Sequence, residues 1–106
     1  MNIGIVTTWF ERGAAYVSKQ YKDSLEESGN KVFIYSRGGE IESNKKDGKW
    51  RGDDVHEGKK IPFPESTYID LDDFLSWINI NNIEVALFNE QRWLPPVLLC
   101  KQLGLR

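Results

Sequence analysis

Unbroken apolar runs alternate along this chain with stretches in which apolar residues recur every three or four positions. The runs lie at residues 2–7, 31–36 and 83–88. They lack the regular alternation of apolar and polar residues that is typical of a strand with one solvent-exposed face. They therefore predict three strands that are buried on both faces. The helical spacing predicts three helices between and after them. Strands that alternate with helices are typical of an α/β layer with a parallel sheet.

The three predicted helices have recognisable ends. The first spans residues 14–28. The second follows Asp70, which is predicted to cap it, and runs to about residue 79. The third begins at Pro95 and ends at Gly104. The apolar stripes predicted to pack on the sheet are Ala14, Val17, Tyr21 and Leu25 in the first helix and Leu71, Phe74, Leu75 and Ile78 in the second.

Residues 37–69 interrupt this alternation, because they are rich in glycine and in charges of both signs. We expect a glycine-rich, charged excursion within the domain, with short exposed strands at residues 49–55 and 61–69. His56 lies among acidic residues of this excursion and is interpreted as a surface residue of a mobile loop rather than as an acid–base group. Acidic side chains nearly balance the basic ones, so the segment does not predict a phosphate-backbone site.

Length and composition limit the classes of function. A length of 106 residues predicts a single domain. A formal net charge of -2 argues against nucleic acid or an anionic membrane as a partner. One His and one Cys do not supply a three- or four-ligand soft metal site, and Cys100 is interpreted as a core residue. We expect a cytoplasmic protein, since the chain shows no basic leader and no apolar run approaches the roughly 18 residues that span a bilayer. Residues 103–106 form a helix stop that normally leads into another strand, so we expect a partial domain.

The candidate ligand site lies in the loops that follow the predicted strands, because ligands of open parallel sheets bind outside the carboxyl ends of the strands. The loop at residues 8–14 offers backbone N–H groups at a helix start, which suit an anion, and the loop at residues 89–93 offers amides, a carboxylate and Trp93, which suit a sugar. The alternatives are that Trp9 and Trp93 are hydrophobic anchors and that Gly13, the only glycine of its loop, merely permits a turn. The candidate substrate-binding residues are Trp9, Phe10, Glu11, Arg12, Gly13, Ala14, Arg37, Gly38, Asn89, Glu90, Gln91 and Arg92.

Three segments resemble a known enzyme family. Residues 1–14 (MNIGIVTTWFERGA), 32–39 (VFIYSRGG) and 86–93 (ALFNEQRW) are similar to the N-terminal half of retaining, nucleotide-sugar-dependent glycosyltransferases of the GT-B type. The resemblance implies a Rossmann-like, three-layer α/β/α domain with a mainly parallel sheet, which is half of a GT-B architecture. It also implies that the loops after the first and the later strand line the cleft between the two halves and face the acceptor.

The same resemblance sets expectations for activity. The parent protein is expected to transfer a sugar from a nucleotide sugar to a glycan or lipid-linked acceptor without a cofactor. Arg12 and the helix start at Gly13 would support the departing diphosphate, and Glu11 or Glu90 would orient an acceptor hydroxyl. The family's second domain is missing, so we expect the isolated chain to be inactive and to self-associate through its unfinished sheet. The alternative is a non-catalytic domain, either a flavodoxin-like binding module or an interaction domain that uses residues 50–64.

Overall fold

A computed structural model describes residues 1–7, 13–37, 52–58, 69–89, 91 and 94–105. Within these ranges the chain forms four strands and three helices. The strands are β1 (Asn2–Thr7), β2 (Lys31–Ser36), β3 (Val55–Glu57) and β4 (Val85–Phe88). The helices are α1 (Gly13–Glu27), α2 (Leu71–Asn81) and α3 (Pro95–Gln102). The predicted α/β class is confirmed.

The four strands form one parallel sheet in the order β3-β2-β1-β4. β1 lies in the interior of the sheet, where Ile5 is opposite Ile34 of β2 on one side and Leu87 of β4 on the other. The chain therefore adds β2 and β3 on one side of β1 first, and then β4 on the other side. The site described below lies where this order of addition reverses.

Helices cover both faces of the sheet, as expected for a Rossmann-like fold. On one face, Ile5 and Ile34 pack with Ala15 of α1. On the other face, a larger cluster combines strand residues with α2 and α3. Its buried members are Val6, Tyr35, Ile69, Phe74, Trp77, Ile78, Ile83 and Cys100. None of the described helices has the length and apolar character needed to cross a membrane.

The buried face of α1 differs from the predicted stripe. Ala15 and Ser18 are fully buried, whereas Val17 and Tyr21 are 44% and 49% exposed and Leu25 is partly buried. Small residues let the helix lie close to the sheet, so the small side chains rather than the large ones face β1 and β2. The apolar spacing therefore assigned Val17 and Tyr21 to the wrong face, whereas Leu25 packs against the core as predicted.

The start of α2 agrees with the prediction, because the Asp70 side chain accepts a hydrogen bond of 3.0 Å from the Asp73 backbone N–H. The helix is longer than predicted, since it ends at Asn81 rather than near residue 79. Its buried residues include Trp77, which the predicted stripe omits, while Leu71 and Leu75 are only partly buried. Trp77 packs over Gly4 of β1, and a side chain at that glycine would collide with the indole ring.

The described part of the excursion contains the short strand β3, which pairs with β2 from Ile34 to Ser36. This strand lies at Val55–Glu57 rather than at residues 49–55. The second strand expected in the excursion falls at residues 61–69, of which only Ile69 is among the described residues, as a buried core residue. α3 begins at Pro95 as predicted, and Gly104 follows it with a φ of 78°.

Candidate functional site

The order in which strands are added to the sheet reverses between β1 and β4. A group of polar side chains lies near the carboxyl ends of the strands at this point. The connections from β1 and β4 lead away on opposite faces, because α1 packs on one face and α3 on the other. Ligands of open parallel sheets bind at such a point, outside the carboxyl ends of the two strands. We call the residues there, Thr7, Ser18, Arg37, Asn89 and Gln91, the switch-point cluster.

Three side chains of this cluster join β1, α1 and β4. The hydroxyl oxygens of Thr7 and Ser18 are 2.6 Å apart, and both residues are fully buried. The Asn89 side-chain amide donates a hydrogen bond of 2.7 Å to Ser18 Oγ. Ser18 Oγ accepts this hydrogen bond and also lies within hydrogen-bond distance of Thr7 Oγ1. The contact between the two hydroxyls is therefore a second hydrogen bond of the same network. The orientation of the Asn89 amide is thereby set by the first helix.

Arg37 anchors the other half of the cluster. It follows β2 directly and is only 1% exposed. Its guanidinium Nη1 donates to the Asn89 backbone carbonyl at 2.9 Å and to Gln91 Oε1 at 3.0 Å, and its backbone N–H donates to Thr7 O at 3.1 Å. A buried guanidinium is stable only when such acceptors surround it. Arg37 therefore fixes the segment after β4 relative to the ends of β1 and β2.

Among the predicted site residues, the structure brings Arg37, Asn89 and Gln91 into direct contact. The backbone of Gly13 and Ala14 forms the first turn of α1, the helix that carries Ser18. The predicted residues Trp9, Phe10, Glu11, Arg12, Gly38, Glu90 and Arg92 lie outside the described residues, as does Trp93.

Two residues of the cluster, Thr7 and Ser18, were missed by the sequence analysis. The signal for them is weak but readable. Thr7 is the polar end of an otherwise apolar strand, and Ser18 follows Ala15 by three positions, which places both on one face of α1. Once Ala15 is known to face the sheet, Ser18 is expected there too.

A second polar cluster corrects the interpretation of His56. This residue lies in β3 rather than in a loop, with its ring centroid 5.3 Å from that of Tyr35. Its Nε2 is 3.0 Å and 3.1 Å from the two carboxylate oxygens of Asp73. The Tyr35 hydroxyl donates to the same carboxylate at 2.6 Å. Burial and this hydrogen bond raise the pKa of Tyr35 well above its ordinary value, so the phenol stays protonated.

The remaining candidate for chemistry, Cys100, is 5% exposed in the core between α3 and the sheet. Burial raises the pKa of its thiol to about 11, so the nucleophilic thiolate is scarce at neutral pH. The core interpretation of Cys100 is confirmed. Within the ranges that the structure describes, no group of three or more His, Cys, Asp and Glu side chains is arranged to hold a metal ion.

Comparison of the chain with protein-family models, with curated proteins and with solved structures gave no match.

Proposed function

We propose that this chain is the acceptor-side half of a nucleotide-sugar-dependent glycosyltransferase of the GT-B type, and that its ligand occupies the crevice beside the switch-point cluster. The observation that carries the proposal is the contact of Arg37, Asn89 and Gln91 where the sheet reverses direction. Arg37 follows β2, whereas Asn89 and Gln91 follow β4, so the fold of the sheet brings them into contact.

The chemistry of the cluster suits a polyhydroxylated ligand. Arg37 is buried and holds the segment after β4 in place, whereas the partly buried side-chain amides of Asn89 and Gln91 carry both donors and acceptors. Sugar hydroxyls need both kinds of partner. The network is already formed, since Arg37 is held by two acceptors and Asn89 by Ser18. A preformed polar site loses little side-chain entropy when the ligand binds.

In this proposal the crevice orients an acceptor or the sugar being transferred, and the family's second domain holds most of the nucleotide. The partners are therefore a nucleotide sugar, a carbohydrate or lipid-linked acceptor and that second domain, with no resident cofactor. Transfer requires both halves. The chain of 106 residues alone would bind without turnover.

Ligand binding to the chain tests the proposal directly. Amide spectra of ¹⁵N-labelled protein are recorded with UDP-glucose, GDP-mannose, UDP, GDP and a set of glycans. We expect shifts centred on Arg37, Asn89 and Gln91, with weaker binding in Asn89→Ala. The matched control is Asn79→Ala, an exposed asparagine of α2 that lies outside the cluster.

The outcomes separate the two classes of function. A sugar or nucleotide sugar that shifts the switch-point residues, and that Asn89→Ala weakens more than Asn79→Ala, supports the transferase. Binding of flavin mononucleotide at the same edge, with no response to sugars, would favour the flavodoxin-like alternative. Absence of any response at these residues across the whole panel would refute a ligand site there.

A further inference from the structure

A groove of about 330 Å³ lies between β3 and α2, apart from the switch-point cluster. We call it the β3–α2 groove. It is lined by Phe33, Trp77 and Ile80 on its apolar side and by Asp53, His56 and Ser76 among its polar residues. None of its lining residues belongs to the switch-point cluster. The volume is at the lower end of the range of small-molecule sites, about 300–1,000 Å³.

The polar side of the groove presents acceptors and negative charge. Asp53, Asp54 and Asp73 all line it, and only Asp54 has a lysine partner within the described residues, Lys22 at 3.0 Å. In the described part of the chain, the Asp53 carboxylate and the Ser76 hydroxyl make no hydrogen bond or ion pair. The groove therefore differs in charge from the switch-point cluster, which contains Arg37.

His56 adds a directed acceptor to this surface. The Asp73 carboxylate already accepts a hydrogen bond from the Tyr35 hydroxyl, so it acts as an acceptor toward His56 as well. The His56 Nε2 atom is then the donor of that pair, and when Nε2 carries the only ring proton, Nδ1 is left as an acceptor. The His56 side chain is 39% exposed, so the ring is accessible from the groove.

The apolar side of the groove includes a highly exposed side chain. Ile80 is 78% exposed, the largest fraction among the large hydrophobic residues of the described chain, and it lines the groove together with the partly buried Phe33. An exposed apolar side chain next to unpaired acceptors is the usual composition of a small-molecule site. A flat apolar group that covers Ile80 and Phe33 would bring an attached cation close to Asp53.

We propose that the β3–α2 groove binds a small organic cation with an apolar ring, whose ammonium group faces Asp53 and His56 and whose ring lies on Phe33 and Ile80. This site is independent of the proposed transferase activity. An anionic molecule of the same shape is excluded by the carboxylates around the groove, and the acceptors select a ligand that carries N–H donors.

The test compares two probes that share a ring and differ in charge. Tryptamine and indole-3-propionate are titrated separately into the ¹⁵N-labelled chain. We expect tryptamine to shift the amides of residues 53–57 and 76–81, and indole-3-propionate to leave them unchanged. Raising the salt concentration should weaken the tryptamine shifts, because the charge pair with Asp53 is exposed to solvent.

Variants locate the binding. Asp53→Asn should weaken tryptamine binding at least threefold, and Ile80→Ser should weaken it through loss of the apolar contact. Asp72→Asn is the matched control, since Asp72 is an exposed acid of α2 that does not line the groove. Equal responses to both probes, shifts confined to the switch-point cluster, or an Asp53→Asn variant that binds as tightly as Asp72→Asn would each overturn the proposal.

Discussion

Replacing Ser18 with alanine tests the switch-point cluster most directly. The variant removes the hydroxyl 2.6 Å from Thr7 and the acceptor 2.7 Å from the Asn89 amide. A buried polar group that loses its partner costs about 1–3 kcal/mol. Thr7 is fully buried, whereas Asn89 is only partly buried and its amide can turn toward water. We expect the free energy of unfolding to fall by about 1–2 kcal/mol, at the lower end of the range that applies to one buried group.

Helix propensity opposes this loss, since alanine is favoured over serine by about 0.5 kcal/mol in a helix. Ser24→Ala is the matched control, because Ser24 is an exposed serine of the same helix and gains the same propensity. The difference between the two variants therefore isolates the buried hydrogen bonds. Urea denaturation followed by circular dichroism gives both values, with an unchanged m-value as the check on two-state unfolding.

A double-mutant cycle completes the test. Thr7→Val keeps the shape of the side chain and removes its hydroxyl, so in the double variant with Ser18→Ala no buried hydroxyl remains of this pair. The double variant should be more stable than the sum of the single losses predicts, by about 1 kcal/mol. Strictly additive losses, or a Ser18→Ala variant as stable as Ser24→Ala, would refute the hydrogen-bonded contact between β1 and α1.

Three further predictions concern stability. Gly4→Ala places a methyl group against the Trp77 ring and should cost about 1–3 kcal/mol in urea denaturation; an unchanged midpoint would contradict the close approach. Because burial and Asp73 raise the Tyr35 pKa above its usual value of about 10, the folded state holds the phenol proton more tightly than the unfolded state. This stabilisation is complete below about pH 10 and is lost as the pH rises further. Tyr35→Phe should therefore lose less stability between pH 9 and pH 11 than the native chain. Parallel curves of stability against pH for the two proteins would count against the raised pKa. Asp70→Ala removes the α2 cap and should cost about 1 kcal/mol, measured as a lower midpoint, and no loss would show that the cap is unimportant.

Much of the sheet was predictable, because its strands are continuous apolar runs with polar ends. The bounds of β1 and β2 agree with the sequence prediction, and Asp70 marked the start of α2. The face of α1 was not predictable from hydrophobicity. Its large apolar residues, Val17 and Tyr21, point outward, and a count of apolar positions cannot tell which of two faces has the closer fit to the sheet.

The candidate site was predictable to the extent that topology determines it. The rule for parallel sheets selected the segments after the strands, and Arg37, Asn89 and Gln91 are found there in contact. The contacts around Asp73 could not be predicted. His56 and Tyr35 meet at Asp73, across separations of 17 and 38 residues, and such a meeting depends on the register of β3 and on how α2 lies over the sheet.

The interior position of β1 has a consequence for synthesis of the protein. Its second edge pairs with β4, whose first residue follows Ile3 by 82 positions. A chain growing on the ribosome can join β1 to β2 early, but one side of β1 stays without its neighbour until residue 88 has emerged. During that interval the nascent chain displays an apolar strand edge of the kind that chaperones hold and that aggregation exploits. Slowing translation before residue 85 would lengthen this exposure.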